Sequence, residues 1–188
     1  MLQDPGGREP APEPLRLVQA FVNTLDIENG VEELASPAAL HEILVRIDAL
    51  PADEARLGDE DLQLALEARE ALRSLAFANN GGALAPEAPA VLARVADAAQ
   101  FTLRFDGGAR PRLAPTADGL AGALGRILAV VYDAIVDGTW QRLKACPRDV
   151  CYWVFYDRSR NGSGKWCAMS VCGNRTNTQA YRRRAHAT

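Results

Sequence analysis

The chain has 188 residues, 48% of them hydrophobic and 24% charged, with a formal net charge of −3 at pH 7. That is enough apolar material for one core and a small appendage, but no stretch approaches the roughly 20 apolar residues a membrane span requires. The N-terminus has no basic start followed by an apolar run, so a secretory leader is not expected. With only His41 and His186, no Ser/His/Asp set, phosphate loop or open metal site can be assembled, so the chain is not expected to be an enzyme.

In chain order, residues 1–14 are rich in Pro and Glu and predict a disordered lead-in. Val18, Phe21, Val22 and Leu25 recur at helical spacing, although Leu15-Arg16-Leu17-Val18 equally suits the start of a short strand. Ser36 followed by Pro37 has the form of an N-cap and first helical residue, with Leu40, Ile43, Leu44 and Ile47 as the buried stripe. Asp59 or Asp61 opens the next helix. Its inner side carries Leu62, Leu66, Leu72, Leu75 and Ala76, and Gly81-Gly82 ends it. A further helix over 86–99 uses Val91, Leu92 and Val95.

The pattern then alternates at Phe101-Thr102-Leu103-Arg104-Phe105, turns at Asp106-Gly107-Gly108 and returns through Arg112-Leu113-Ala114, which predicts a β-hairpin. Thr116 is the expected cap of the longest helix, striped by Leu120, Leu124, Ile127, Leu128, Val131 and Ile135, with Gly138 bending or ending it. The expected fold class is mainly α (α+β). A multihelical domain with a small β-hairpin spans 15–143, and a four-cysteine zinc-knuckle module with a short basic helix spans 144–188.

All four cysteines lie in the last 43 residues, as Cys146-Pro-Arg-Asp-Val-Cys151 and Cys167-Ala-Met-Ser-Val-Cys172. Two short loops that each aim a pair of thiolates at one point make a tetrahedral all-sulfur site for one Zn²⁺ ion. Four thiolates fill that site, so it is structural rather than catalytic. Two disulfides are the rival pairing. They belong to secreted scaffolds, whereas this chain is expected in the reducing cytoplasm. Trp153, Phe155, Tyr156 and Trp166 form an aromatic group between the cysteine pairs in a chain with only 6% aromatic residues; for Trp153 and Trp166 the expected role is packing on the metal loops, with nucleobase stacking as the alternative. Asp157 with Arg158 or Arg160 is expected to tie down the intervening loop. Asn161-Gly162-Ser163-Gly164 gives that loop its turn, and Gly173 supplies backbone freedom to the second knuckle.

Charge is divided along the chain. Residues 1–140 hold 11 Arg against 22 Asp and Glu, a net −11, while residues 141–188 hold 10 Lys and Arg against 2 Asp, a net +8. The basic end calls for a polyanionic partner. A short helix capped near Asn174 or Thr176 places Arg175, Gln179 and Arg182 on one side, with Arg183 and His186 beside it. Arg pairs with guanine and Gln with adenine, while most such contacts go to phosphate; Arg182, Arg183 and Arg184 therefore suit the nucleic-acid backbone. Arg175 either meets DNA or braces the metal loop through Asp157.

The run Cys167-Ala168-Met169-Ser170-Val171-Cys172-Gly173-Asn174-Arg175, preceded by Phe155-Tyr156-Asp157-Arg158-Ser159 and Trp166, resembles the bacterial CGNR zinc-finger family. Phe21-Val22-Asn23-Thr24 resembles the start of the ABATE domain that usually precedes this finger, and the stretch holding Arg69-Glu70-Ala71-Leu72-Arg73 is similar to that domain as well. Where members often carry Lys two residues after the CGNR arginine, this chain has Asn177. The resemblance implies a stress-related transcription regulator whose finger binds one zinc through Cys146, Cys151, Cys167 and Cys172 and contacts DNA. Trp153, Asp157, Trp166, Gly173 and Asn174 are expected to support the metal loops. The acidic helical domain is left for sensing, homodimerisation or partner contact, with no membrane involved. The alternative is a zinc-stabilised protein-interaction module that does not touch DNA.

Overall fold

The computed structural model describes residues 7–54 and 56–178. The mainly helical fold expected from the pattern is the one observed. α1 (Leu15–Val22) buries Leu15, Val18, Phe21 and Val22; the alternative strand at its start does not form, because the apolar spacing there is helical. A two-residue antiparallel ladder follows, β1 (Leu25–Asp26) on β2 (Val31–Glu32). α2 (Pro37–Arg46) begins as expected, the Ser36 hydroxyl accepting from the Ala39 amide at 3.1 Å.

α3 (Asp59–Ala78) carries three acidic residues in its first turn, where they face the positive end of the helix dipole. Asp61 accepts the Gly58 amide at 2.8 Å. At 20 residues it exceeds α5, reversing the expectation that the later helix is the longest among the described residues. It also stops at Ala78, ahead of Gly81-Gly82.

α4 (Ala88–Ala99) ends in Gln100, held left-handed at φ 51°, and leads into the hairpin β3 (Phe101–Phe105) and β4 (Pro111–Pro115). The turn is built by Asp106, whose carboxylate accepts the amides of Gly108 and Arg110, and Ala109 takes the left-handed position. Thr116 does not cap α5 (Gly119–Val136). Its hydroxyl donates to the Gln100 carbonyl at 2.6 Å and its amide bonds Ala99, so it fastens β4 to the end of α4, and Asp118 precedes the helix instead. Gly138, at φ 73°, lies just past the end of α5.

By length and composition α5 is apolar enough to cross a membrane, contrary to the sequence expectation. Its Leu120, Ala123, Leu124, Ile127 and Val131 line the main core, however, where it packs on α1, α4 and β4. That is the setting of a core helix. Ile135, expected in its buried stripe, is 51% exposed.

After a short 3-10 turn (Trp140–Arg142), β5 (Leu143–Ala145) pairs antiparallel with β6 (Val154–Tyr156), Lys144 standing opposite Phe155 and Ala145 opposite Val154. Alternate residues of a strand point to opposite faces, and this hairpin uses both. Leu143, Ala145 and Val154 belong to the main helical core, whereas Phe155 lies in a second core with the four cysteines, Trp153 and Ala168. The hairpin is a wall common to two interiors.

Candidate metal centre and its seat on the body

Cys146 follows β5 directly, and Cys151 closes the loop that returns to β6. Two amide bonds shape this first knuckle, Cys151 N to the Arg148 carbonyl and Cys146 N to that of Trp153, both 2.9 Å. The second knuckle is the start of a helix. After extended Ala168, residues Met169–Gly173 wind as a π-turn, and 174–178 continue it as α-helix. Cys172 and Gly173 both donate their amides to the Ala168 carbonyl. The helix therefore starts ahead of the second cysteine of its pair rather than at an Asn174 or Thr176 cap.

The loops bring all four sulfurs within 4.8 Å of one another, each cysteine buried. The sulfurs of Cys151 and Cys167 are 3.6 Å apart, and those of Cys167 and Cys172 are 3.5 Å apart. A tetrahedron with zinc–sulfur bonds near 2.3 Å has edges of about 3.8 Å, so the arrangement fits one such ion. Electrostatics agree. Hydrogen bonds from Cys151 and Cys167 pull the Cys146 thiol down, and the same contacts push Cys151 and Cys167 up. Without a cation these contacts favour a thiolate at Cys146 over one at Cys151 or Cys167; a dication opposes that preference by favouring ionised sulfur ligands. One structural zinc ion is the cofactor this donor set suits, joining two knuckles with 15 residues between them and leaving no position for substrate.

In the β5–β6 hairpin and the loop that follows it, Lys144 is 6% exposed and Asp157 1%. Lys144 Nζ donates to the Asp157 carboxylate at 2.8 Å and to the carbonyls of Gly162 and Gly164. The amides of Ser159 and Gly164 also donate to Asp157. Burial alone would raise this carboxyl, but the Lys144 and Ser159 hydrogen bonds carry it well below the usual range. The partner of Asp157 is thus Lys144, not Arg158, Arg160 or Arg175. Lys144 faces it across the strand from inside the hairpin, whereas Arg158 turns out to the Pro10 carbonyl and Glu9.

Gly164 has no room for a side chain, since a Cβ there would lie 2.5 Å from Asp157 Oδ1. Gly173 is also constrained by space. It does not take a left-handed φ, contrary to the expected role in backbone freedom, and a Cβ on it would lie 2.3 Å from Met169 Sδ and 3.1 Å from the Trp166 ring. Trp153 sits within the metal core and Trp166 packs on it, while Asn174 is exposed.

The body grips this module by its backbone. Asn23 acts as a short substitute strand, its amide donating to the Val154 carbonyl at 2.8 Å and its oxygen accepting the Val154 N–H at 2.9 Å; Gln19 adds a second donor to the same carbonyl. Arg73, buried on α3, donates to the carbonyls of Tyr152 and Val22, and Glu70 holds its Nε. Its neighbour Arg69 reaches Thr24, Glu32 and Glu70. Asn79 and Asn80, at the end of α3, take the carbonyls of Trp140, Leu143, Ala145 and Lys165.

Sequence reading missed Gln19, Asn79, Asn80 and Lys144 as site residues. For Asn23, Arg69 and Arg73 the signal was present in the two N-terminal motifs, but what those residues hold was not.

Arg175 is exposed on the helix that leaves Cys172, and it pairs with Glu28 on the β1–β2 turn. Glu28 also accepts from Arg148 Nη1 at 2.8 Å, and that same nitrogen lies 3.9 Å from Cys172 Sγ. Of the other expected DNA contacts, Gln179, Arg182, Arg183 and Arg184 lie outside the described residues, as does His186.

Residues 142–185 match the CGNR zinc finger, and residues 15–138 match ABATE, described as "Putative stress-induced transcription regulator". Both are regulator or zinc-finger types rather than enzyme families. No curated protein matches the chain. The ABATE match alone covers well over half of the sequence. The chain therefore belongs to the ABATE family and ends in a CGNR zinc finger, in the order its motifs suggested.

Proposed function

We propose that this chain is a DNA-binding transcription regulator in which zinc fixes the base of a basic helix and the acidic body senses a ligand or joins a second copy. The observation that carries the reading is the helix itself. It leaves the second knuckle at Cys172 with Arg175 exposed on its first turn and three further arginines in the next residues of the sequence. A helix this short is marginal in water, so a metal-fixed first turn gives it a nucleus. The net +8 of residues 141–188 supports a phosphate partner, while the net −11 of residues 1–140 keeps the body off the duplex. A reducing cytoplasm is the compartment this reading requires, since it keeps the thiols available to the metal. Exposed Leu103 and Phe105 on β3, with Tyr132, Ile135 and Val136 on α5, support a homodimer.

Gel-shift titration of the zinc-loaded full chain on duplex DNA at several salt concentrations tests the reading. Replacing Arg182, Arg183 and Arg184 by Ala should weaken binding to all sequences alike and flatten the log affinity–log salt slope by about 0.9 for each phosphate no longer neutralised. Unchanged affinity and slope discard it. A second reading is favoured by Glu28, a carboxylate that already occupies Arg148 and Arg175. On that reading the basic end docks on an acidic protein surface, and the wild-type chain binds no duplex even at low salt.

A further inference from the structure

A cleft of about 1120 Å³ lies against α3, α4 and the segment joining them. Its apolar wall includes Leu66, Phe77, Leu84 and Val91, and it is completed by Ile27 from the β1–β2 turn and Tyr152 from the first cysteine loop. This lies just above the roughly 300–1,000 Å³ usual for small-molecule sites, and aromatic and aliphatic lining with a few charged groups is their usual chemistry. The charged groups decide what it prefers. Arg94 is paired with Glu67, and Arg73 with Glu70, which leaves Glu87 with no ion-pair partner among the described residues. The lining carries three carboxylates against two guanidiniums. An excess negative charge in a cleft that is also lined by the Phe77 and Tyr152 rings complements a cation that is itself apolar.

Tyr152 ties the cleft to the metal. It is held left-handed at φ 49°, its ring meets Phe77 edge-on at 5.3 Å, and its carbonyl accepts from Arg73. Its sequence neighbours Cys151 and Trp153 both lie in the metal core. A residue strained in this way sits between two environments, and whatever fills the cleft bears on it.

We propose that the cleft binds an aromatic cation and that the occupant loads the zinc centre through Tyr152. This deepens the sensing half of the proposed function. It is tested without DNA, so its failure and that of the DNA-binding reading are separate outcomes.

The test is calorimetric titration of the zinc-loaded full chain with tetraphenylphosphonium, and with tetraphenylborate as the same shape of opposite charge. The phosphonium should bind saturably at one per chain and more tightly than the borate. Glu87→Gln should loosen it by about fivefold, the upper end for one exposed charge pair. Ala90→Trp, at an exposed lining position on α4, should abolish binding while far-ultraviolet circular dichroism stays unchanged. Saturation should also slow transfer of zinc to a chromogenic chelator. Absence of saturable phosphonium binding, borate binding as tightly, or indifference to both substitutions overturns the site. Binding with an unaltered rate of zinc transfer overturns the coupling through Tyr152.

Discussion

Asp157 shows how much a single side chain carries in the loop between the two knuckles. Its carboxylate is saturated by one ammonium and two amides, and it presses against a glycine that cannot be enlarged. Replacing it by Asn leaves Lys144 buried without its counter-charge, a change of the kind that costs about 3–5 kcal/mol. We expect Asp157→Asn to lower the urea midpoint accordingly with the slope unchanged. The pH dependence has a definite sign. Because the folded carboxyl titrates below its unfolded value near 3.9, its contribution is complete above about pH 5 and is lost as pH falls toward the folded value. The stability gap between wild type and Asp157→Asn should be constant from pH 7 to about 5 and shrink in more acid solution. A gap that widens on acidification contradicts the assignment.

At the scale of elements, the β5–β6 hairpin is held by side chains from the ends of α1 and α3 as well as by strand pairing. Asn23 bonds both polar groups of Val154 and is the side chain that accepts its N–H, while Gln19 shares the carbonyl. Asn23→Ala strands the Val154 amide, a loss of about 1–3 kcal/mol, and hydrogen exchange at Val154 should accelerate far more than at the centre of α3.

These elements were unequally legible. Helices with stripes of ten residues or more could be read, as could the β3–β4 hairpin with its polar turn. The two-residue β1–β2 ladder and the three-residue strands of β5–β6 could not, since two or three residues are too few to establish a period. Thr116 misled because a threonine ahead of an apolar run looks the same whether its hydroxyl caps a helix or donates to the preceding one. The cysteine spacing was explicit because both ends of each knuckle are near in sequence. Glu28 was invisible because its partners are 120 and 147 residues away, and Lys144 because pairing across a strand depends on a register that sequence does not display.

Across the whole molecule, metal and helical core share the same hairpin, so their stabilities are coupled. Stripping zinc with a chelator should lower the melting temperature of the entire chain, by roughly 10–20 °C for about 5 kcal/mol of stability removed, in one transition. Two separate transitions, with the helical part unmoved, would show the halves to be independent. The same joint places an acidic residue of the body on cations of the finger. Glu28→Gln releases Arg148 and Arg175. If both then meet phosphate, duplex affinity should rise and the salt slope steepen by up to about 2, read in the same titration.

The common wall also limits what can be cut away. Severing the chain ahead of residue 142 would bare the inner sides of Leu143, Ala145 and Val154 to water and take away the helix-borne amides that hold their carbonyls. Such a fragment is expected to be sticky and slow to load metal, and its failure on DNA would say nothing about the intact protein. A chimaera that grafts this finger onto a foreign scaffold needs the docking surface of α1 and α3 to travel with it.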